Sequence, residues 1–239
     1  MVHIAESIKQ RDATDEIVKG WWTYLPFGAV AAGLVAAVLF YLFMPTMSGL
    51  ILALFFMFTL GFALVAILNY KLVRRLNEHR RREASLRTGL IEYLRAMSLE
   101  RGPEAQVATE ISAMESIDLE CLANERPVSV MATPMAALPL IGFAFEYYSL
   151  HAATGPAYMH DKLWQLLLQQ LRSAGGKLGI DIIIPASKPL PKRPFPLYLL
   201  LSLLFFPFLA CWYHFLIMDM NGHLKAQWGV EDKLLSGLI

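Results

Sequence analysis

Residues 21–70, WWTYLPFGAVAAGLVAAVLFYLFMPTMSGLILALFFMFTLGFALVAILNY, run for fifty positions without an Asp, Glu, Lys, Arg or His, and the next twelve, Lys71 to Arg82, carry six Lys or Arg. A hydrocarbon layer about 30 Å thick is crossed by about 20 apolar residues in a helix, so the stretch is too long for one span. The break Met44-Pro45-Thr46-Met47-Ser48-Gly49 divides it into two spans of suitable length. The segment reads as a membrane hairpin, and the basic run places its end in the cytoplasm, together with residues 1–20.

Composition agrees. The chain of 239 residues is 56% hydrophobic with a mean hydropathy of +0.45, above the roughly 45–50% apolar content of soluble domains, so no large soluble domain is expected. A formal net charge of +1 means that any electrostatic role comes from distribution along the chain. Residues 1–20 mix Glu6, Asp12, Asp15 and Glu16 with Lys9, Arg11 and Lys19 and show no cleavable-signal pattern. They are expected to be retained and partly helical. Cys121 and Cys211 stand apart from each other and read as ordinary buried thiols.

The first span, entered through Trp21, Trp22 and Tyr24, has a small-residue strip, Ala29, Gly33 and Ala37, on which another helix can approach closely. No Gly or Pro interrupts Phe62 to Thr88, so the second span is expected to continue as a helix. There Leu72, Leu76, His79, Glu83, Leu86, Leu90, Tyr93 and Met97 form a heptad stripe that needs a partner helix. Residues 71–127 read as a cytoplasmic helical extension and connector. Residues 128–150, interrupted by Pro134 and Pro139, read as a third span or a re-entrant segment. Within 151–195, Leu163, Trp164, Leu167, Leu168 and Leu171 give an amphipathic helix expected in the membrane interface. Ile180 to Ile184 reads as a short strand, and a Pro-rich basic linker follows. Residues 196–218 are the last span, kinked at Pro207, and 219–239 a C-terminal tail. The fold class is all-α, a helical integral membrane protein with three transmembrane helices and a candidate fourth at 128–150, a cytoplasmic helical extension and an interfacial amphipathic helix.

One pattern occurs twice. Asn69-Tyr70 precedes Asn77-Glu78-His79, and Trp212-Tyr213 precedes Asn221-Gly222-His223; Tyr147-Tyr148 followed by His160-Asp161 is a looser third copy. With the Trp-Trp entry and the Arg-Arg-x-Asn-x-His hairpin end, these features resemble a group of prokaryotic, largely archaeal, multipass membrane proteins of no established activity. The resemblance implies fold and membrane location only.

Candidate sites are few. Lys71, Arg74, Arg75, Arg80, Arg81 and Arg82 are expected to bind anionic lipid headgroups, at about 1 kcal/mol per cation near a negatively charged leaflet. Glu146 is the candidate for a transport path, being the carboxylate set in the apolar 128–150 segment. A metal site could draw on His79 and Glu83, one helical turn apart, with His160, Asp161, Asp219 or His223 from other elements. Interfacial histidines more often serve as hydrogen-bonding anchors, so neither a metal nor another cofactor is expected. No catalytic motif occurs. The expected function is a non-catalytic accessory or structural subunit of a membrane complex, packing through apolar helix faces against lipids and other integral membrane subunits or a second copy, without nucleic acid. The alternative is a small-solute or ion transporter with Glu146 in its path.

Overall fold

The computed structural model describes residues 2–43, 46–101, 104–138, 142–186, 188–205 and 207–238. The regular structure among them is entirely helical. Two short helices, α1 (Val2–Lys9) and α2 (Arg11–Thr14), precede a 3-10 turn at Gly20–Tyr24 and α3 (Leu25–Phe43). The next helix, α4 (Met47–Arg101), is 55 residues long, about 80 Å at 1.5 Å per residue. Its uninterrupted middle carries it far beyond the thickness of a bilayer core. There follow α5 (Glu104–Asn124), a 3-10 helix at Val130–Ala137, α6 (Gly142–Lys177), α7 (Phe195–Leu204) and α8 (Phe208–Leu238).

Among the described residues, the segment Gly20–Phe43 and α4 are the helices long and apolar enough to cross a membrane. They pair closely through glycine: a Cβ on Gly33 would lie 2.2 Å from Met57 Cγ, and one on Gly61 would lie 3.0 Å from Val30 Cγ2. Ala29 and Ala37, one turn either side of Gly33, are buried. The small-residue strip thus closes the hairpin on itself. The outer faces stay bare, with Leu42, Phe43, Phe55 and Phe56 at 58–84% exposure. An apolar surface of that extent calls for a non-aqueous neighbour.

The second half of α4 is the mast of a helical bundle. Leu86, Leu90 and Leu94 pack with Val107, Ile111 and Met114 of α5, Trp164, Leu167 and Leu171 of α6, Val230 and Leu234 of α8, and Ile4 and Ile8 of α1. Nearer the hairpin, a second core joins Leu68 and Leu72 to Val18, Leu150, Trp212, Tyr213 and Ile217. Each such side chain contributes about 1.5–3 kcal/mol by leaving water. The heptad stripe of α4 therefore finds its partner in its own chain.

Several expectations are corrected. Residues 128–150 are not one helix but an eight-residue 3-10 helix holding Pro134, followed by the start of α6; Pro139 lies outside the described residues. The expected interfacial helix is the middle of α6, and its apolar face is buried in the bundle because it complements the stripe on α4. Residues 180–184 form no strand. The 196–218 segment is divided near Pro207, which lacks the N–H a continuing helix needs, and residues 219–238 continue α8 instead of forming a tail.

Replacing Gly33 with Leu drives a side chain into Met57 and should lower stability by about 1–3 kcal/mol through overpacking. A thermal melt of the detergent-solubilised protein measures it; an unchanged midpoint contradicts this closure of the hairpin.

Candidate metal centre

Between the two cores lies a polar layer. His79 and Glu83 share a face of α4 because they are four residues apart, and His160 arrives from α6 and His223 from α8. One donor atom from each of the four lies within 4.8 Å of all the others. His79 Nε2 is 3.2 Å from His160 Nε2, and Glu83 Oε2 is 2.9 Å from His160 Nε2 and 3.4 Å from His79 Nε2. The four side chains are almost wholly buried. Glu83 Oε2 and His223 Nε2 have no aligned hydrogen-bond partner among the described residues. Orphaned polar atoms in the interior are rare and call for an explanation.

The rear of each ring supplies one. His79 Nδ1 is 3.1 Å from Asp15 Oδ1, His160 Nδ1 is 2.6 Å from Glu125 Oε1, and His223 Nδ1 is 2.9 Å from Asp161 Oδ1. A carboxylate on Nδ1 fixes the tautomer with its proton there and turns the lone pair of Nε2 towards the centre, the arrangement that metal-ligating histidines favour. The carboxylates are held in turn. Arg82 donates to Asp15 at 2.7 Å and to Glu231 at 2.8 Å, and Trp228 Nε1 donates to Asp15 at 2.9 Å. Arg87 donates to Glu83 at 2.9 Å and to Asp118 at 2.7 Å. Asp161 accepts from the Leu190 N–H and from Gln165, each at 3.0 Å.

Protonation reflects the crowd of carboxylates. Burial disfavours the His160 imidazolium, yet Glu83 and Glu125 outweigh it and hold the ring at about 9. For Glu83, burial acts upward, but the facing imidazolium of His160 and Arg87 bring it well below the usual carboxylate range. Asp15 is likewise lowered against its burial by His79 and Arg82. Burial and the neighbouring rings lower His223, although its bond to Asp161 opposes them. The carboxylates thus favour positive charge beside Glu83. A divalent cation bound where the Nε2 atoms converge would supply such charge.

Three chain straps lock the layer. Asn77 bonds both ways with the backbone of Val128, at 2.8 and 3.0 Å, and Asn221 does the same with Val18, at 2.7 and 3.2 Å. Three residues before Val18 is Asp15, the partner of His79, and three before Val128 is Glu125, the partner of His160. The Asn-x-His echo is thus a pair of clamps, each seating a strap whose carboxylate orients a histidine. In the third instance Asp161 orients His223 and accepts from Leu190.

The basic run is corrected by the same network. Arg75, Arg80 and Arg82 are 2–4% exposed and cannot reach headgroups. Arg75 donates to Asn221 at 2.7 Å, whereas Arg80 has no hydrogen-bond or ion-pair partner among the described residues. Lys71 pairs with Glu16 at 2.6 Å and lies over the Trp22 ring, Arg74 pairs with Glu78 at 2.7 Å, and Arg81 is exposed. Asp219 pairs with Arg193 outside the cluster. Cys121 is buried, its thiol pushed up to about 12, and Cys211 is exposed. Glu146 is buried away from the layer, beside Tyr213. Sequence reasoning named all four central residues but not Asp15 or Glu125 as their partners; the spacing of each acid from a clamped valine becomes meaningful only once the clamp is seen.

No family model matches this chain, and neither does any curated protein or solved structure.

Arg82 is the test of the carboxylate ring. Arg82→Met leaves Asp15 and Glu231 buried without their cation, a loss of about 3–5 kcal/mol, whereas Arg74→Met at the surface should cost under about 1 kcal/mol. Urea unfolding of the two variants side by side checks the difference.

Proposed function

We propose that this protein is a membrane-anchored metalloprotein whose His79, Glu83, His160 and His223 hold one divalent first-row metal ion as a closed, non-catalytic clamp, and that it serves as an accessory subunit in the membrane. The observation that carries the reading is the set of three histidines, each backed at Nδ1 by a carboxylate and each turning Nε2 to one point beside Glu83. Three imidazole nitrogens and one carboxylate oxygen suit Zn2+, and four protein donors complete its tetrahedral shell. Buried ligands leave no position for a substrate, which favours a structural role over a catalytic one. Such an ion would join α4, α6 and α8 directly, and the segment after α2 through Asp15.

The membrane reading rests on α3 and the apolar first half of α4 as two full spans. The surface cations Lys71, Arg74 and Arg81 mark the cytoplasmic leaflet, and the bundle stands on that side. Leu200, Leu203, Leu204 and Phe205, at 53–76% exposure, give α7 and its junction with α8 an apolar surface for partial insertion or for a partner subunit. The transporter reading has less support: apart from Tyr213, the cavity beside Glu146 is walled by apolar and aromatic side chains.

Purified protein should carry about one zinc per chain by elemental mass spectrometry, and His79→Ala, His160→Ala and His223→Ala should each lose it. At metal concentrations about 1,000 times Kd, the bound ion adds about 4 kcal/mol, so a chelator should lower the thermal midpoint of the wild type and leave His223→Ala unmoved. Wild-type protein that retains no divalent metal after supplementation would sink the proposal.

A further inference from the structure

A second buried carboxyl lies outside the metal layer. Glu146 of α6 is 2% exposed, and among the described residues it has no Lys, Arg or His within ion-pair distance. Its hydrogen-bond partner is the Tyr213 hydroxyl at 3.3 Å. That hydroxyl has one proton to give, and Asn69 Oδ1 competes for it at 2.8 Å. Asn69 Nδ2 is itself buried without a partner. In its ionised form Glu146 is left to share one donor, which is costly unless a cation approaches it.

Glu146 and Tyr213 line a cavity of about 110 Å3 between α3, α4, α6 and α8. Its other walls include Phe58, Phe62 and Phe143. The Phe62 ring meets Phe143 edge-on at 5.7 Å and stacks with Phe58 at 6.4 Å. An apolar cavity of about 150 Å3 is known to admit benzene. The space suits a group of a few heavy atoms. A carboxylate without a cation, set among aromatic rings, favours one chemistry: an ammonium group, drawn by Glu146 and by the ring faces together. The surrounding lipid-type surface of α3 and α4 admits an apolar stem.

We propose that this cavity binds a lipophilic ammonium compound, its cationic head against Glu146 and Tyr213 among the phenylalanines. The site does not involve the metal layer and stands or falls separately from it.

The test uses the full chain in nanodiscs, titrated with hexyltrimethylammonium, hexanol and hexyl sulfate, with empty nanodiscs subtracted. Saturable binding of the ammonium compound is expected, about tenfold or more tighter than hexanol, with none for the sulfate. Glu146→Gln should remove most of that preference. Val65→Phe, which fills the cavity and keeps the carboxyl, should abolish binding of ammonium and alcohol alike. Circular dichroism and a cooperative thermal melt establish that each variant folds. Equal binding of hexanol and ammonium that Glu146→Gln leaves unchanged, or no saturable binding of the ammonium compound, overturns the proposal.

Discussion

The arrangement of this molecule follows from one constraint: a layer of imidazoles, carboxylates and guanidinium groups is sealed between two apolar cores, and each member needs a partner there. Leu76, Met220 and Leu224 close the layer on the hairpin side, and Leu86, Leu90, Trp164 and Val230 close it on the other. Between them the low local dielectric strengthens every matched hydrogen bond and penalises every unmatched one. The helices consequently have little freedom in register. A shift of one residue in α4 would swing His79 and Glu83 by about 100° around the helix axis, breaking bonds to Asp15 and Arg87 in the same movement.

The layer also explains the repetition in the chain. Each of its three histidines sits on a long helix, α4, α6 or α8, and each of those helices follows a strap held by a polar side chain: Val18 by Asn221, Val128 by Asn77, Leu190 by Asp161. The dependence runs in a circle. Asn77 of α4 seats the strap that orients His160 of α6; Asp161 of α6 orients His223 of α8; Asn221 of α8 seats the strap that orients His79 of α4. A closed ring of this kind cannot lose one member without loosening the next, which is how a small set of polar residues specifies the mutual placement of three helices.

How much of this was legible in the sequence depends on whether a signal is local. The hairpin and the unbroken length of α4 are local properties of apolar runs and absent breakers, and both can be read directly. The Asn-x-His echo was visible too, but its meaning depends on which backbone each Asn seats, and Val18 is 203 residues from Asn221. The basic run misled for a geometric reason. Five of the six cations fall within about 120° of one another on α4 and Arg80 lies opposite, and the bundle packs against both sides of the helix there, so Arg75, Arg80 and Arg82 are buried while Lys71, Arg74 and Arg81 are not. The apolar face of α6 misled because an amphipathic helix can bury that face in a bilayer or in protein, and periodicity does not distinguish the two. At Pro207 the sequence pointed to a kink; an N–H-deficient residue beside the short apolar α7 broke the helix instead.

Two units held together in different ways share α4. The hairpin is held by the close approach of Gly33 of α3 to Met57 and of Gly61 of α4 to Val30, and its outer faces are apolar and exposed. The bundle is held by leucine packing and by the histidine layer. Because α4 has neither Gly nor Pro between Phe62 and Thr88, nothing along it provides a hinge, and the position of His79 and Glu83 relative to the hairpin is fixed by the helix itself. The straps and the helices α6 and α8 have no such rigid link; they reach the layer through side chains. Loss of the polar ring would therefore loosen α6, α8 and the segment after α2, leaving them to their apolar contacts with α4, while the hairpin stays closed, since local stability is set by the contacts each unit keeps. The layer is thus the point at which the state of the bundle can change without disturbing the hairpin.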